Sequence, residues 1–450
     1  MIKQAMVKAT VNQGESTSSL KIALNATQQD LIKRDAEAFY HQHLSSPVFN
    51  TITRAEGAYI YDGQGKRYLD LHGNGVHTIG YNNPYVLQAA KKSLDNQLTF
   101  SPRRFTNEPA VALAEKLAQV SAEGLDRVLF CPGGSQAIEM AVMMAKRHTK
   151  TWKTLSYEGT FHGSGFQAVS VGADPHFHEG LGPLMPGALH LGMPDLYRNP
   201  WGSKDVEKVF DHYVAQLKTI IENTDGIAAF ISEPIFYNST VPTLAYWEQV
   251  KDLCQQHGIL LIFDEIYTAF GRTGKMFACE HFVTPDLLVF GKGFGGGIVP
   301  FAGVIGNDSL NTMPDRSVGH YTHEKNPFCA NIAHAVIDYV INQRLPEKAK
   351  ALGDYFSDGL EDLKEEFEII GNIQGIGLNL AVDLVECRKT KERAYHKAQT
   401  LVNYAFQRGI SFKLIQGNIL NFKPALIIEK NEIDYILGVL RDGLNLVSKQ

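Results

Sequence analysis

A lysine and an aspartate lie just beyond two predicted strands in the central part of the chain. Asp264 follows the apolar run Gly258–Phe263, and Lys292 follows the run Asp286–Phe290. Ligands of open α/β sheets bind at the carboxyl ends of the strands, so we expect both side chains at one site. An acid beside a pyridine nitrogen keeps it protonated, and a partly desolvated lysine forms a Schiff base with an aldehyde. Each residue alone could simply end a strand, but together they indicate one chemistry.

A glycine-rich turn precedes a predicted helix. Gly133, Gly134 and Ser135 follow the predicted strand Arg127–Phe130 and open the helix Ser135–Arg147. Glycines allow close approach of the backbone, and free N–H groups at a helix N-terminus attract a phosphate. The segment is not a P-loop, because no Gly-Lys-[Ser/Thr] follows it. It is therefore a candidate phosphate loop, with simple packing of the turn as the alternative.

Short apolar runs alternate with amphipathic helical patterns through the central part of the chain, which is typical of a parallel α/β sheet. The segment Ala58–Leu71 predicts a hairpin whose turn opens at Asp62. From about Pro327 the pattern changes to long charged helices around short strands, which indicates a second, smaller α+β unit. Its helices are predicted over Glu347–Glu366, Thr390–Arg408 and Asn431–Val447, and its strands over Leu378–Asp383, Ile410–Lys413 and Ile419–Phe422.

The charge balance excludes two classes of partner. The 450 residues include 43 Lys and Arg against 48 Asp and Glu, which gives a formal net charge of −5. Such a chain lacks the basic surface of a dedicated nucleic-acid binder. No apolar run approaches the roughly 18 residues of a membrane span. We therefore expect neither nucleic acid nor a membrane as a partner.

The cysteines and the N-terminal segment bear on the cellular compartment. The five cysteines lie far apart, and none belongs to a Cys-x-x-Cys pair. This spacing argues against a zinc site and against a disulfide framework, so we expect no metal. Free thiols are typical of a reducing cytoplasm. The polar N-terminal segment lacks the apolar core of a secretory signal and predicts a flexible arm. A cytoplasmic protein is therefore predicted.

The segment Leu261–Gly306 carries the most specific pattern in the chain. It contains Asp-Glu-Ile-x-x-Ala-Phe-Gly-Arg-x-Gly from Asp264 and Pro-Asp-Leu-x-x-x-Gly-Lys ending at Lys292. It resembles the class III, ω-aminotransferase-like branch of the fold type I pyridoxal-phosphate enzymes, and the likeness runs from about Ala58 to Val447. The resemblance implies pyridoxal 5'-phosphate as cofactor and a mostly parallel central sheet, with a smaller α+β domain from both chain ends. The expected boundaries are a flexible arm at 1–25, small-domain parts at 26–85 and 327–450, and a large cofactor domain at 86–326.

The resemblance also implies roles for individual residues. Lys292 is the Schiff-base lysine and Asp264 is the partner of the pyridine nitrogen. Ile266 packs under the cofactor ring. Gly134 and Ser135 hold the cofactor phosphate, which agrees with the phosphate loop that the glycines indicate.

Four further positions match the family less specifically. Phe161 corresponds to an aromatic residue that stacks on the ring, although it could instead belong to the core. The next residue, His162, either caps a turn or contacts the cofactor. Glu233, in Ser-Glu-Pro-Ile, resembles a turn near the cofactor and has no assigned role. Thr322 matches a threonine that reaches the phosphate of the neighbouring subunit, which implies a homodimer with shared active sites.

A late strand departs from the family pattern. Most transaminases of this family bind a keto-acid carboxylate with an arginine in Arg-[Phe/Ile]-x-Pro-Pro, but that position is Asn421 here. Asparagine cannot provide charged, bidentate recognition of a carboxylate. Lys423 follows two residues later on the same strand face. This arrangement resembles a branch of class III proteins that act as lyases on phosphorylated amines.

Two other segments supply polar groups. Arg103 and Arg104 precede a predicted helix start and match a Ser-Arg-aromatic element of that lyase branch. Arginine and a helix N-terminus both favour a phosphonate, so Arg104 joins Asn421 and Lys423 as a candidate substrate contact. Solvated surface arginines are the alternative. Beside Thr322, the residues His323, Glu324 and Lys325 either form a polar pocket or take part in a salt bridge at the subunit interface. The loop residues His72, Asn74 and His77 have no assigned role.

The sequence therefore predicts a pyridoxal-phosphate-dependent lyase whose substrate is a small amine carrying an anionic group. The resemblance to the lyase branch implies conversion of 1-hydroxy-2-aminoethylphosphonate to phosphonoacetaldehyde and ammonia, by removal of the α-proton and loss of the β-hydroxyl. The alternative is an aminotransferase that moves an amino group from an ω-amine or amino acid to pyruvate or 2-oxoglutarate.

Overall fold

The structure is a computed structural model that describes residues 23–43, 45–46, 48–312 and 314–449. Most of the predicted arm at 1–25 lies outside the described residues. Within them, no helix is long and apolar enough to cross a membrane. The five cysteines all lie in the described part and are free thiols.

The first three strands of the chain form an antiparallel meander. It consists of β1 (Ile52–Glu56), β2 (Tyr59–Asp62) and β3 (Arg67–Asp70). The predicted hairpin is confirmed by the pairing of β2 with β3. The Asp62 carboxylate accepts the N–H groups of Gln64 and Lys66 at 2.9 and 3.0 Å, which closes the turn.

A seven-stranded sheet forms the centre of the molecule. Its strands are β4 (Arg127–Cys131), β5 (Lys153–Tyr157), β6 (Ala188–Leu191), β7 (Ile227–Ser232), β8 (Leu260–Asp264), β9 (Leu287–Phe290) and β10 (Ala302–Gly306). Their spatial order is β4-β10-β9-β8-β7-β5-β6, and β10 runs antiparallel to both of its neighbours. The expected mostly parallel sheet is thus confirmed. Strands β7 and β9 are buried along their whole length, which explains their unbroken apolar sequences.

Helices follow most of the strands and cover the core. They are α1 (Ala26–Ala38), α2 (Pro84–Asp95), α3 (Glu108–Val120), α4 (Gly134–Thr149), α5 (Phe166–Val171), α6 (Pro175–His178), α7 (Val206–Glu222), α8 (Leu244–Gln256), α9 (Pro327–Asn342), α10 (Leu345–Glu366), α11 (Tyr395–Gln407) and α12 (Lys430–Val447). An asparagine side chain caps α2, α3 and α9, and a proline is the first or second residue of each of these helices, so their start points are strongly specified. Helix α4 contacts β4, β7, β8, β9 and β10 and so sets the position of the turn before it.

The second unit combines both ends of the chain. Its strands are β11 (Ile370–Ile376), β12 (Asn379–Cys387), β13 (Glu392–Arg393), β14 (Ile410–Ser411), β15 (Lys413–Ile415) and β16 (Ile419–Phe422). An antiparallel sheet has the order β11-β12-β16-β15, with β13 paired to β12. Strand β14 instead pairs with β3, so the N-terminal meander is completed by a strand from the C-terminal region. The expectation of a smaller α+β unit from both chain ends is confirmed.

Two details of the predicted C-terminal pattern are wrong. The helix predicted over Thr390–Arg408 begins only at Tyr395, because β13 pairs with β12 before it. The strand predicted over Ile410–Lys413 divides into β14 and the start of β15, which belong to different sheets. Hydrophobic alternation does not reveal which sheet a short strand joins. The division matters because it places Lys413 at the site described below.

Candidate active site

Lys292 follows β9 and begins a single helical turn at Lys292–Gly295. Its φ of 47° lies in the left-handed region, which is strained for a residue with a side chain and is concentrated at functional sites. The Lys292 ammonium lies 4.3 Å from the centroid of the Tyr267 ring. Burial lowers the pKa of Lys292, while the carboxylates of Asp264 and Glu233 oppose this effect. A lysine with a lowered pKa is more often a free amine, which can act as a base or a nucleophile.

Asp264 ends β8 and is held by two neighbours. One carboxylate oxygen lies 2.8 Å from His162 Nδ1, and the other accepts the Ile266 N–H at 3.0 Å. Asp264 is only 5% exposed. The sequence allowed two roles for His162, capping a turn or contacting the cofactor. In the structure its ring lies against Asp264. The buried His162 Nε2 has no hydrogen-bond partner in the described part of the chain.

The glycine turn opens α4 without a capping side chain. Gly133 occupies the cap position, so the first N–H groups of α4 have no side-chain acceptor. A Cβ atom built at Gly134 would lie 2.8 Å from Ile266 Cδ1, which shows how closely Ile266 approaches this turn. The Ser135 hydroxyl accepts the Ser164 N–H at 3.0 Å. The free N–H groups at the start of α4 lie beside Ile266, and a helix N-terminus of this kind can hold an anion.

The loop around Gly73–Gly75 lies against the lysine. A Cβ atom at Gly75 would lie 2.8 Å from Lys292 Cδ, and the φ of Gly75 is +77°, so a side chain is excluded on both grounds. His72 Nδ1 accepts the Asn74 N–H at 3.2 Å. Burial lowers the pKa of His72 to about 2, and the charge of Lys413 contributes. His72 is therefore a neutral imidazole whose Nε2 carries the proton.

Lys423 directly follows β16 and is 6% exposed. Its ammonium lies 4.0 Å from the centroid of the Tyr267 ring, so this ring contacts the ammonium groups of both Lys423 and Lys292. Burial lowers the pKa of Lys423 to about 7, and the Glu233 carboxylate opposes this effect. The motif had indicated Lys423 but not Tyr267, because an aromatic residue within the family pattern gives no sign of which cations it will contact.

Asn421 lies on β16, is 2% exposed, and has a buried Nδ2 without a hydrogen-bond partner in the described part of the chain. Lys413, on β15, is the register partner of Asn421. Sequence reasoning missed Lys413. The only signal that could have found it is the pairing of β15 with β16, which requires the fold.

Arg272 fixes the backbone beside Lys423. The buried Arg272 guanidinium donates to the Leu378 carbonyl at 3.1 Å and to the Pro424 carbonyl. The Lys423 N–H donates to the Leu71 carbonyl at 2.7 Å. These bonds join the end of β16 to the central sheet and to the chain that leads into the His72 loop. The Lys423 side chain is therefore positioned by a rigid frame.

Glu233 lies one residue beyond β7, next to the end of β8. Its Oε2 is buried and has no hydrogen-bond partner in the described part of the chain. Burial, with the neighbouring Asp264 charge, raises the pKa of Glu233 to about 7, while His162 and Lys423 lower it. The Glu233 carboxyl group can therefore hold a proton near neutral pH.

Three predicted contacts lie on the surface of the single chain. Phe161 is 44% exposed and its ring packs on Phe177 with centroids 4.4 Å apart. Thr322 and Arg104 are exposed. Within the described ranges, no hydrogen bond, ion pair or ring contact links any of the three to Lys292.

The two arginines of the 101–105 segment differ. Arg103 donates to the Tyr321 carbonyl at 3.0 Å and forms an ion pair with Glu324 at 3.0 Å, so it holds the turn that carries Thr322. Arg104 has no such partner within the described ranges. The His77 ring lies 3.0 Å from the Asp70 carbonyl and stacks on another ring, which is a packing role.

The site therefore has two sides. We call Lys292, Asp264, Gly134 and Ser135 the cofactor side, and Lys413, Asn421 and Lys423 the anion side. The cofactor side fits pyridoxal 5'-phosphate: it offers an amine for the aldehyde, a buried acid for the ring nitrogen and an uncapped helix for the phosphate. No group of three or more His, Cys, Asp or Glu side chains among the described residues could hold a metal ion.

Comparison with known proteins agrees with this fit. Residues 40–444 match the family described as Aminotransferase class-III. The (R)-1-hydroxy-2-aminoethylphosphonate ammonia-lyase of Vibrio splendidus (strain 12B01) is 40% identical over 94% of this chain and 91% of its own length. The leucine/methionine racemase of Thermococcus litoralis is 37% identical over 93% of this chain and 95% of its own length.

A solved structure extends the likeness to the cofactor. The PLP-bound amine transaminase of an uncultivated Pseudomonas species superposes with a TM-score of 0.84. It is 30% identical and covers 92% of this chain and 98% of its own. This chain belongs to the class III aminotransferase family of fold type I enzymes, and its cofactor is pyridoxal 5'-phosphate.

Proposed function

We propose that the protein is an ammonia-lyase acting on a small phosphonate-bearing amine. The reaction converts 1-hydroxy-2-aminoethylphosphonate to phosphonoacetaldehyde and ammonia. The observation that carries the proposal is the anion side, where Asn421 occupies the usual arginine position and the buried Lys423 ammonium is the nearby cation. The 40% identity to an ammonia-lyase of that name supports it.

The cofactor side would hold pyridoxal phosphate through residues named by the family pattern. We assign the aldehyde to Lys292 and the ring nitrogen to Asp264, which His162 and the Ile266 N–H keep in a fixed orientation. Gly134 and Ser135 would receive the phosphate at the uncapped start of α4. Ile266 and Phe161 would contact the two faces of the ring. When bound, the cofactor supplies an electron sink for negative charge on the carbon next to the amine.

Two side chains would move protons in the reaction. Lys292, with its lowered pKa, takes the proton from the carbon that bears the amine. Glu233, which can hold a proton near neutral pH, donates that proton to the departing hydroxyl as the C–O bond breaks, and the hydroxyl leaves as water. The released enamine takes up a proton at the carbon bearing the phosphonate, and water then hydrolyses it to the aldehyde and ammonia.

The exposed residues suggest a homodimer. Thr322 and Arg104 face solvent in the single chain, whereas the family pattern implies contacts with cofactor and substrate. We propose that both residues complete the site of a neighbouring subunit. The Arg103–Glu324 ion pair would hold the Thr322 turn in the required position.

An aminotransferase is the second candidate, because the family and its solved structures include transaminases. A transaminase must bind the carboxylate of its keto-acid acceptor as well as the amine donor. The uncharged Asn421 amide is a poor replacement for an arginine in that role. A racemase, like the Thermococcus litoralis relative, would release no ammonia.

Ammonia release tests the proposal. The purified holoenzyme is given 1-hydroxy-2-aminoethylphosphonate with and without pyruvate or 2-oxoglutarate. We expect stoichiometric ammonia and phosphonoacetaldehyde at the same rate in both conditions. Product formation that requires the keto acid, with the amino group appearing in alanine or glutamate, would contradict the lyase and support the aminotransferase.

A further inference from the structure

Three lysine side chains lie close together where the cofactor side meets the anion side. The ammonium groups of Lys292 and Lys423 both lie within 4.3 Å of the Tyr267 ring centroid. Lys413 is the register partner of Asn421, which precedes Lys423 by two residues on the same strand face. In the part of the chain that the structure describes, no ion pair or hydrogen bond involves the side-chain nitrogen of any of the three lysines.

The positive charges around Lys413 and Lys423 outnumber the carboxylates beside them. Lys423 faces the Glu233 carboxyl group but also the cations of Lys292, Arg272 and Lys413. Lys413 faces the Asp174 carboxylate and the neutral His72 ring. Surrounding protein atoms lower the pKa of the Lys413 ammonium, although the residue as a whole is exposed. An excess of cations over carboxylates at a buried site indicates that a ligand supplies further negative charge.

An unpartnered amide points to the same ligand. Asn421 is 2% exposed, yet its Nδ2 donates no hydrogen bond within the described residues. A buried polar group without a partner costs free energy, so its retention between two lysine positions calls for an acceptor that arrives from outside. An oxygen-rich anion would satisfy Asn421 and the two lysines together.

We infer that Lys413 is a specificity-determining residue, which together with Lys423 and the Asn421 amide forms a site for a tetrahedral dianion. The inference deepens the proposed function and rests on it for the identity of the substrate. Two cations and one amide donor match the three oxygens and two negative charges of a phosphonate or phosphate monoester. A carboxylate offers two oxygens and one charge, so it would leave one lysine uncompensated.

Binding of anions that lack an amine tests the inference without catalysis. Titration calorimetry on the holoenzyme compares hydroxymethylphosphonate, methyl phosphate, the tetrahedral monoanion isethionate and the carboxylate glycolate. The variants are Lys413→Met and Lys413→Arg. Lys389→Met is the matched control, because Lys389 is exposed on a turn away from the site.

We expect Lys413→Met to weaken hydroxymethylphosphonate binding about tenfold to a hundredfold, the range for loss of a charged hydrogen-bond partner. The affinity for methyl phosphate should be within about threefold of that for hydroxymethylphosphonate. Lys413→Met should weaken the binding of both by the same factor. Glycolate and isethionate should change less than about threefold, since one cation remains. Lys413→Arg should keep most of the affinity, and Lys389→Met should match the wild type.

Two results would overturn the inference: unchanged phosphonate affinity in Lys413→Met, or an equal loss for glycolate. Ammonia assays with 1-hydroxy-2-aminoethylphosphonate and phosphoethanolamine then distinguish a phosphonate from a phosphate monoester as substrate. If neither releases ammonia while phosphonate binding still depends on Lys413, the dianion site stands and the proposed function fails. If ammonia is released but phosphonate affinity is the same in Lys413→Met and the wild type, the proposed function stands and the dianion site fails.

Discussion

The cofactor side and the anion side differ in how their polar groups are satisfied. On the cofactor side, Asp264 has a fixed partner for each carboxylate oxygen, and the Ser135 hydroxyl already accepts a hydrogen bond. On the anion side, the Asn421 amide has no partner among the described residues, and Lys423 contacts only a ring through its ammonium. Asp264 and Ser135 are thus held in place by the chain, whereas Asn421 and Lys423 need a ligand to complete their polar contacts.

This difference separates chemistry from specificity. On the cofactor side, Asp264 and Lys292 lie at the carboxyl ends of the adjacent parallel strands β8 and β9. The anion side is built on two short antiparallel strands of the smaller unit. Loss of Lys292 or Asp264 should therefore abolish every reaction of the enzyme, and a change on the anion side should alter which substrate it accepts.

The largest effect is expected at the cofactor side. Lys292→Ala should lower ammonia release by at least about a thousandfold, because the variant lacks the base that moves the α-proton. Steady-state ammonia assays measure the loss, and Lys389→Ala serves as the control. If Lys292→Ala retained turnover, Lys292 would not be the base, and the assignment of the proton transfer to the cofactor side would be wrong.

A smaller and more selective effect is expected at the anion side. Lys423→Met keeps an unbranched side chain that is one atom shorter and removes its charge. The KM for 1-hydroxy-2-aminoethylphosphonate should rise about tenfold to a hundredfold, with a smaller fall in kcat. Initial rates over a range of substrate concentrations give both constants. An unchanged KM with a collapsed kcat would mean that Lys423 serves the chemistry and not the recognition.

A glycine on the cofactor side should affect cofactor binding alone. Gly134→Ala places a methyl group 2.8 Å from the flexible end of Ile266, which can shift but would then crowd the phosphate turn. The dissociation constant of pyridoxal phosphate should rise about tenfold, while the fold is kept. Gly438→Ala is the matched control, because a Cβ atom there meets open space. Equal cofactor affinity in both variants would show that Gly134 does not contribute to binding of the cofactor phosphate.

The smallest effect is a pH dependence of the anion side. Lys423 has its pKa lowered to about 7, so it is charged below that pH and loses its charge as the pH rises through it. The affinity for the phosphonate dianion should fall about fivefold between about pH 7 and pH 8. Calorimetry with hydroxymethylphosphonate, corrected for the ionisation of the ligand, measures this fall. Lys423→Met should bind weakly with no such slope; a slope that persists would assign it to another group.

The sequence predicted the cofactor side more completely than the anion side, for a physical reason. Asp264 and Lys292 each follow an apolar run, and parallel strands bring their carboxyl ends to one edge, so the run pattern alone places both residues. The fold class, the hairpin and the strands β4, β8 and β9 follow from the same local patterns, whereas β6 and β10 were not predicted. The family resemblance added the cofactor.

The anion side depends on pairing that local patterns do not encode. Lys413 lies in a short stretch whose first residues pair with β3 and whose next residues pair with β16. The contact between Lys413 and Asn421 therefore cannot be predicted without knowing this pairing. The partners of Asp264 show the same limit, because His162 is 102 residues away in sequence. The roles of Arg104 and Thr322 stay predictions, since both lie on the surface of the single chain.

The most direct test of the account follows the absorbance of the cofactor in the absence of any keto acid. The holoenzyme is mixed with excess 1-hydroxy-2-aminoethylphosphonate, and the visible spectrum is recorded until the substrate is consumed. A lyase returns the cofactor to its starting aldehyde state in each turnover, so the account predicts that the original spectrum is restored and ammonia accumulates. A spectrum that converts once and stays in the pyridoxamine form, without ammonia, would contradict it.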